Sequence, residues 1–151
     1  MDNKKLIIGT VAGGVTFFVL GFVLYGIVLE SFFANHAGSA TGVLKTEIMF
    51  WPLILGNLAL AALLSYVFLK WAKIKSFGGG MKAGAIIGFL IALSLDMILY
   101  DTTNMMDLTA SIVDVIVFTV MTAIGGGVIG MVLGMGAGTG AGSETESQPG
   151  S

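Results

Sequence analysis

The sequence predicts an all-α membrane protein built as a bundle of four transmembrane helices. Of its 151 residues, 56% are hydrophobic and only 11% are charged, a balance outside the range of soluble domains. Four apolar runs each reach the roughly 20 residues that a helix needs to cross a hydrocarbon core about 30 Å thick. We therefore predict one transmembrane domain over residues 1–135 and a flexible, glycine-rich polar tail over residues 136–151.

Local sequence signals set the limits of the four predicted spans. Pro52 stands in the first turn of the second span, where its missing N–H costs little. The third span is predicted to begin after the glycine triplet at 78–80, which we interpret as a break. The longest connection follows the first span, and residues 31–34 within it can form a short interfacial helix. The spans are predicted at about residues 6–29, 49–69, 81–100 and 108–134.

The distribution of lysines predicts the orientation of the bundle. With four spans, Lys45 falls on one side of the membrane and the other six lysines fall on the opposite side. Cytoplasmic loops carry an excess of basic residues, so both termini and the middle loop are expected in the cytoplasm. The six lysines of the predicted cytoplasmic side are Lys4, Lys5, Lys70, Lys73, Lys75 and Lys82.

Composition excludes several classes of function. The chain has no cysteine, a single histidine (His36) and no arginine, so thiolate metal sites have no ligands and no cluster of histidine, cysteine and arginine can provide a nucleophile and its base. We therefore do not expect an enzyme or a cysteine- or haem-based cofactor. The net charge is −2 and no basic block is present, so nucleic acid is not an expected partner.

Two carboxylates lie inside predicted spans, Asp96 in the third and Asp114 in the fourth. An ionisable residue within a spanning helix is a functional-site hypothesis by default because burying it in lipid is costly. At about 1.5 Å per residue, Asp96 lies about 6 Å and Asp114 about 10 Å below the outer ends of their helices. Asn57 of the second span lies about 9 Å below the same surface.

Helical periodicity predicts which way these two carboxylates face. Asp96 falls on a stripe of small residues, and Asp114 falls on a stripe of small and polar residues. Such stripes mark the protein-facing side of a membrane helix, so both carboxylates should point into the bundle or into a subunit interface. The stripes are Gly88, Ala92 and Asp96 on the third span, and Ser111, Asp114, Phe118, Thr122 and Gly125 on the fourth.

These positions suggest an outward-facing acidic vestibule for a cation. Asp96 and Asp114 would be the ion-facing groups and metal ligands, with Asn57 as an oxygen ligand for Ca²⁺ or another hard cation. Two alternatives stay open for the pair: a structural hydrogen-bonding role near the interface, and a catalytic dyad. The outer carboxylates that would attract the cation are Glu30, Glu47, Asp101 and Asp107.

Glycines recur at a spacing of four residues, which lets helix backbones approach closely. Tight packing within one subunit explains this spacing more simply than a dedicated dimer motif. Four short helices nevertheless enclose too little space for a pore within one subunit, so we expect a homo-oligomer. The glycines concerned are Gly9, Gly13, Gly84, Gly88, Gly126, Gly130, Gly134 and Gly138.

Three segments carry a resemblance to a known family. They are FVLGFVLYG at 18–26 followed by Phe32 and Phe33, IVDV at 112–115, and MTAIGG at 121–126. Together with the glycine-led third span, they resemble a widespread bacterial family of four-helix membrane proteins known as a domain of unknown function. The resemblance implies the architecture and a multi-pass protein of the bacterial inner membrane, and it carries over no functional residues.

Two functions from different classes follow from the sequence. The first is a homo-oligomeric ion channel or cation-binding membrane protein with an outward acidic vestibule. The alternative is an accessory or scaffold subunit of a larger membrane complex, which transports nothing and should co-purify with a defined partner.

Overall fold

The computed structural model of the protein describes residues 2–135 and shows a helical bundle, as the sequence predicts. The short helix predicted at 31–34 is confirmed, with slightly wider bounds. The predicted tail at 136–151 lies outside the described residues. The helices are α1 (Asp2–Val23), α2 (Glu30–Asn35), α3 (Phe50–Tyr66), α4 (Phe77–Thr102) and α5 (Leu108–Gly134); π-helical turns extend α1 over Leu24–Val28 and α3 over Val67–Ala72.

Within residues 2–135, four helical segments are long and apolar enough to cross a membrane. They contain 23 to 27 residues, which corresponds to about 35–40 Å of helix and exceeds a hydrocarbon core of about 30 Å. Large apolar side chains cover their outward faces, as lipid contact requires. These features fit a multi-pass membrane protein. The segments are Asp2–Val28, Phe50–Ala72, Phe77–Thr102 and Leu108–Gly134.

The prediction that the glycine triplet at 78–80 breaks the chain is wrong. The α4 helix begins at Phe77 and includes all three glycines in its first turn. The Ser76 side chain accepts a hydrogen bond from the N–H of Gly79 at 3.1 Å and so caps the helix. This cap, together with the packing of Gly80 against α5, offsets the low helix propensity of glycine.

The α5 helix lies at the centre of the bundle and packs against α4, α1 and α3. The core cluster forms where α1, α3 and α5 meet. It lies in the half of the bundle opposite α2 and includes aromatic rings from α1 and from the π-helical turn of α3. Its buried residues are Phe17, Ala61, Leu64, Phe68, Leu69, Met121, Ile129 and Leu133.

The α4 and α5 helices are antiparallel and touch through their backbones. A Cβ atom on Gly84 would lie against the carbonyl oxygen of Thr122 and 3.1 Å from the Cα of Gly126. A Cβ atom on Gly80 would lie against the carbonyl oxygen of Gly126 and 3.1 Å from the Cα of Gly130. Helix association in lipid depends on such close packing, because burial from water contributes little there. We call this contact the glycine seam.

Glycines also bring α1 against its neighbours. A Cβ atom on Gly9 would lie 2.9 Å from the Oγ of Ser65 in α3, and one on Gly13 would lie 2.7 Å from the Cγ1 of Ile129 in α5. Gly125 leaves the space that the ring of Phe17 fills. The small residues of α1 and α5 therefore pack within one chain.

The two ends of the bundle differ in charge and structure. At the acidic end, which carries α2 and the α4–α5 turn, the segment 36–40 pairs with the turn through three backbone hydrogen bonds. They run from Gly38 N–H to Met105 O (2.9 Å), Ala40 N–H to Asn104 O (2.9 Å) and Asp107 N–H to His36 O (3.1 Å). At the opposite, lysine end, Lys70 Nζ lies 3.2 Å from Asp2 Oδ2 in an exposed ion pair that contributes little to stability.

The glycine seam gives a direct test of the fold. Replacing Gly84 with alanine should destabilise the protein by about 1–3 kcal/mol, because the added methyl group collides with α5 backbone atoms that cannot rotate away. The measurement is thermal unfolding in detergent followed by circular dichroism. Gly56→Ala is the matched control, because a Cβ there meets no atom within 4 Å among residues 2–135. Equal melting temperatures for both variants would contradict the close α4–α5 contact.

Candidate functional site

The glycine seam brings Asp96 and Asp114 together. Gly88 lies against the side chain of Thr122. Because the two helices are antiparallel, a position four residues later on α4 lies level with a position four residues earlier on α5. Two further steps from this contact reach Asp96 and Asp114, whose carboxyl groups interact with each other. The structure thus places the two carboxylates face to face within one chain.

The two carboxylates differ in their surroundings. Asp96 is only 5% exposed, and its Oδ2 has no hydrogen-bond partner among the described residues. Asp114 is half-buried and lines cavities on both sides of it. Like charges at close range in a poorly solvated site repel strongly. The pair therefore needs a compensating positive charge, supplied by a shared proton or by a bound cation.

Tyr25 is a third member of the site, and the sequence did not predict it. Its hydroxyl faces the Asp114 carboxyl, and its ring stacks on Phe33 of α2 with centroids 5.6 Å apart. Tyr25 lies in the π-helical turn that ends α1, where the N–H of Leu29 donates to the carbonyl oxygen of Leu24 at 2.8 Å. A π turn shifts the facing of side chains relative to α periodicity, and such turns are frequent at functional sites.

A cavity of about 640 Å³, here called the acidic cavity, lies between the end of α1, α2, the segment 37–44 and the α4–α5 turn. Of the twelve described residues that line it, two are acidic and none is basic. Most of the others are apolar. The lining residues are Tyr25, Glu30, Phe33, Ala34, Ala37, Ala40, Gly42, Val43, Leu44, Met105, Met106 and Asp114.

A second cavity of about 500 Å³, here called the lateral cavity, lies between α1, α3 and α5. Among the described lining residues, Tyr25 and Asp114 belong to both cavities and so stand between them. Asn57 also lines the lateral cavity; its Nδ2 donates to the carbonyl oxygen of Leu53 at 2.8 Å. The amide oxygen of Asn57 is therefore the atom it can offer to a ligand.

The remaining residues predicted for the vestibule are distributed unevenly. Glu30 is exposed and lines the acidic cavity with Asp114. Asp107 caps α5, because its Oδ1 accepts a hydrogen bond from the N–H of Ala110 at 2.7 Å. Within the described part of the chain, Asp101 and Glu47 are exposed and line neither cavity.

The predicted metal site offers few ligands. Among residues 2–135, no group of three or more histidine, cysteine, aspartate or glutamate side chains is arranged to hold a metal ion. Asp96 and Asp114 supply two carboxylates, whereas Ca²⁺ takes six to eight oxygen ligands. A metal ion at the pair would depend on Tyr25, water or other oxygen atoms for its remaining ligands.

Comparison of the chain with protein-family models, with curated proteins and with solved structures found no match. The resemblance to the bacterial four-helix family therefore stays a prediction. Fold and site together define a bundle of four potential membrane-spanning helices with a pair of carboxylates at its acidic end, one of which, Asp114, lines two cavities.

The cap at α5 separates a structural aspartate from the others at the acidic end. Asp107→Ala should lower the free energy of unfolding by about 1 kcal/mol, because the N–H of Ala110 loses its acceptor. Asp101→Ala is the matched control, since it removes an exposed carboxylate of the neighbouring turn. Thermal unfolding of both variants is the measurement, and equal losses would argue against a specific cap.

Proposed function

We propose that this protein binds a cation at the Asp96–Asp114 pair, reached from the outer side of the membrane through the acidic cavity. The observation that carries this proposal is the pairing of the two carboxylates. Among the described residues, Asp96 Oδ2 has no hydrogen-bond partner and no basic residue lines the adjoining cavity. Such a pair attracts a positive charge and gains from binding one. Glu30 at the cavity wall adds to the attraction.

The packing of the lysine-end half favours binding over conduction through a single chain. There α4 and α5 touch through their backbones, and the core cluster fills the space between α1, α3 and α5. An ion that reached Asp96 from the acidic end would meet a closely packed interior beyond it. Conduction would therefore need a path between copies of the chain, which is the role we propose for a homo-oligomer.

We propose that the acidic end faces outward and that both termini are cytoplasmic. The excess of lysines at the opposite end supports this orientation. The cell membrane is the proposed location, and the family resemblance points to the inner membrane of a bacterium.

Single cysteines test the orientation cleanly, because the native chain has none. A cysteine replacing the exposed Ser39 should react with a membrane-impermeant maleimide in intact cells. A cysteine replacing Gly78, an exposed position where an added Cβ meets no atom of the described residues within 4 Å, should react only after lysis. The opposite labelling pattern would reverse the proposed orientation.

Substitution of the paired carboxylates tests the proposed site. Asp114→Asn and Asp96→Asn should each weaken cation binding at least about tenfold, because each removes one of the two charges that hold the ion. The affinity for Na⁺ and Ca²⁺ is measured by calorimetry in nanodiscs, and proton binding is measured as proton uptake after a pH jump. Asp101→Asn is the matched control, since Asp101 lines neither cavity.

The same variants separate a cation site from a structural hydrogen-bonding pair. In cation-free buffer at alkaline pH, Asp96→Asn should raise the melting temperature, because it removes charge repulsion from a buried position. A purely structural role predicts a lower melting temperature and unchanged cation binding. Unchanged binding in both variants would end the proposal and favour the accessory-subunit alternative.

A further inference from the structure

The walls of the acidic cavity suit a particular class of cation. Resting on the function proposed above, we infer that the site takes an organic ammonium ion with an apolar body. Its ammonium group lies against Asp114, and its apolar body fills the acidic cavity, where Glu30 adds negative charge to the wall. A bare metal ion is not the ligand that this cavity fits.

The size and lining of the cavity support this ligand class. A volume of about 640 Å³ lies within the range of small-molecule sites, about 300–1,000 Å³, and far exceeds the needs of a metal ion. Its walls are mainly apolar, with carboxylates at Glu30 and Asp114 and no basic residue among the described lining. An apolar cavity with a few acidic groups is complementary to an amphipathic cation.

Aromatic and methionine side chains supply contacts that suit an organic cation better than a hard, hydrated metal ion. The stacked rings of Tyr25 and Phe33 line the cavity, and an ammonium group within about 6 Å of an aromatic face is attracted by the ring quadrupole. Met105 and Met106 line the side formed by the α4–α5 turn. Methionine is flexible and polarisable, and it adapts to ligands of varied shape.

A metal ion finds a poorer set of partners here. Hard cations bind through several oxygen atoms, and among residues 2–135 no third acidic or histidine side chain joins Asp96 and Asp114. An ammonium ion needs only one or two carboxylates. The buried Asp96, whose Oδ2 has no hydrogen-bond partner among the described residues, interacts with Asp114 and so adjoins the proposed ammonium position.

The lateral cavity gives such a ligand a route from the bilayer. Its rim includes Phe22, Ile48 and Leu53, which are 55%, 70% and 45% exposed on the apolar outer surface of the bundle. It meets the acidic cavity at Tyr25 and Asp114. An amphipathic cation concentrated in the outer leaflet can therefore reach Asp114 without first entering water.

The test compares a cation with its uncharged isostere. Benzyltrimethylammonium should bind the full-length protein in nanodiscs at least about tenfold more tightly than neopentylbenzene, in which carbon replaces the charged nitrogen. Isothermal titration calorimetry against empty nanodiscs corrects for partition into lipid. Na⁺ and Ca²⁺ are titrated in parallel.

Three variants locate the binding. Asp114→Asn should weaken benzyltrimethylammonium binding about tenfold or more, and Phe33→Leu should weaken it about two- to thirtyfold by removing an aromatic face at similar volume. Asp101→Asn should bind as the native chain does, because Asp101 lies outside both cavities.

The outcomes distinguish this inference from the proposed function. Asp114-dependent binding of Na⁺ or Ca²⁺ without binding of benzyltrimethylammonium would overturn the ligand class and leave the cation site standing. Equal binding of the neutral isostere would also overturn it. Failure of every cation, including the proton, would remove the proposed function and this inference with it.

Discussion

Backbone contact between α4 and α5 is the constraint on which the rest of the structure depends. In lipid, two apolar helices gain little free energy when their surfaces are buried against each other, because lipid tails are equally apolar. Their association therefore relies on dispersion and close approach. The glycines of the seam permit that approach, and their four-residue spacing fixes the register of two antiparallel helices. Once Gly84 lies against Gly126, Asp96 and Asp114, each twelve residues further towards the acidic end, lie at the same level of the two helices. The position of the acidic pair therefore depends on the glycines of the seam, which have no functional side chains themselves.

Much of this arrangement could be predicted from the sequence. Hydropathy and length predict four spans. The stripe through Gly88, Ala92 and Asp96 predicts the buried face of α4, and all three residues are buried in the structure. Helical periodicity predicts the side of a helix on which a residue lies, but it does not identify the helix that packs there. Whether the two carboxylates meet within one chain could therefore not be derived from the sequence. The contact of Gly88 with Thr122 supplies the missing register.

The features that escaped prediction come from backbone geometry. The π-helical turn that contains Tyr25 leaves no mark in the α periodicity, so its hydroxyl could not be placed beside Asp114. Likewise, the segment 36–40 pairs with the α4–α5 turn through main-chain groups, which every residue type possesses. That pairing closes one side of the acidic cavity. The glycine triplet at 78–80 misled the prediction because the cap at Ser76 and the packing of Gly80 outweigh propensity.

One half of the bundle is closely packed and the other contains cavities, and this difference bears on mechanism. The lysine-end half combines backbone contact with a filled aromatic and aliphatic core, whereas the acidic end holds two cavities separated by Tyr25 and Asp114. Moving an ion across one chain would require α4 and α5 to part along the seam and lose their closest contacts. The acidic cavity and the lateral cavity, in contrast, share the side chains of Tyr25 and Asp114 as lining. This difference is the reason why we propose a site that takes up or releases a cation at one face of the membrane.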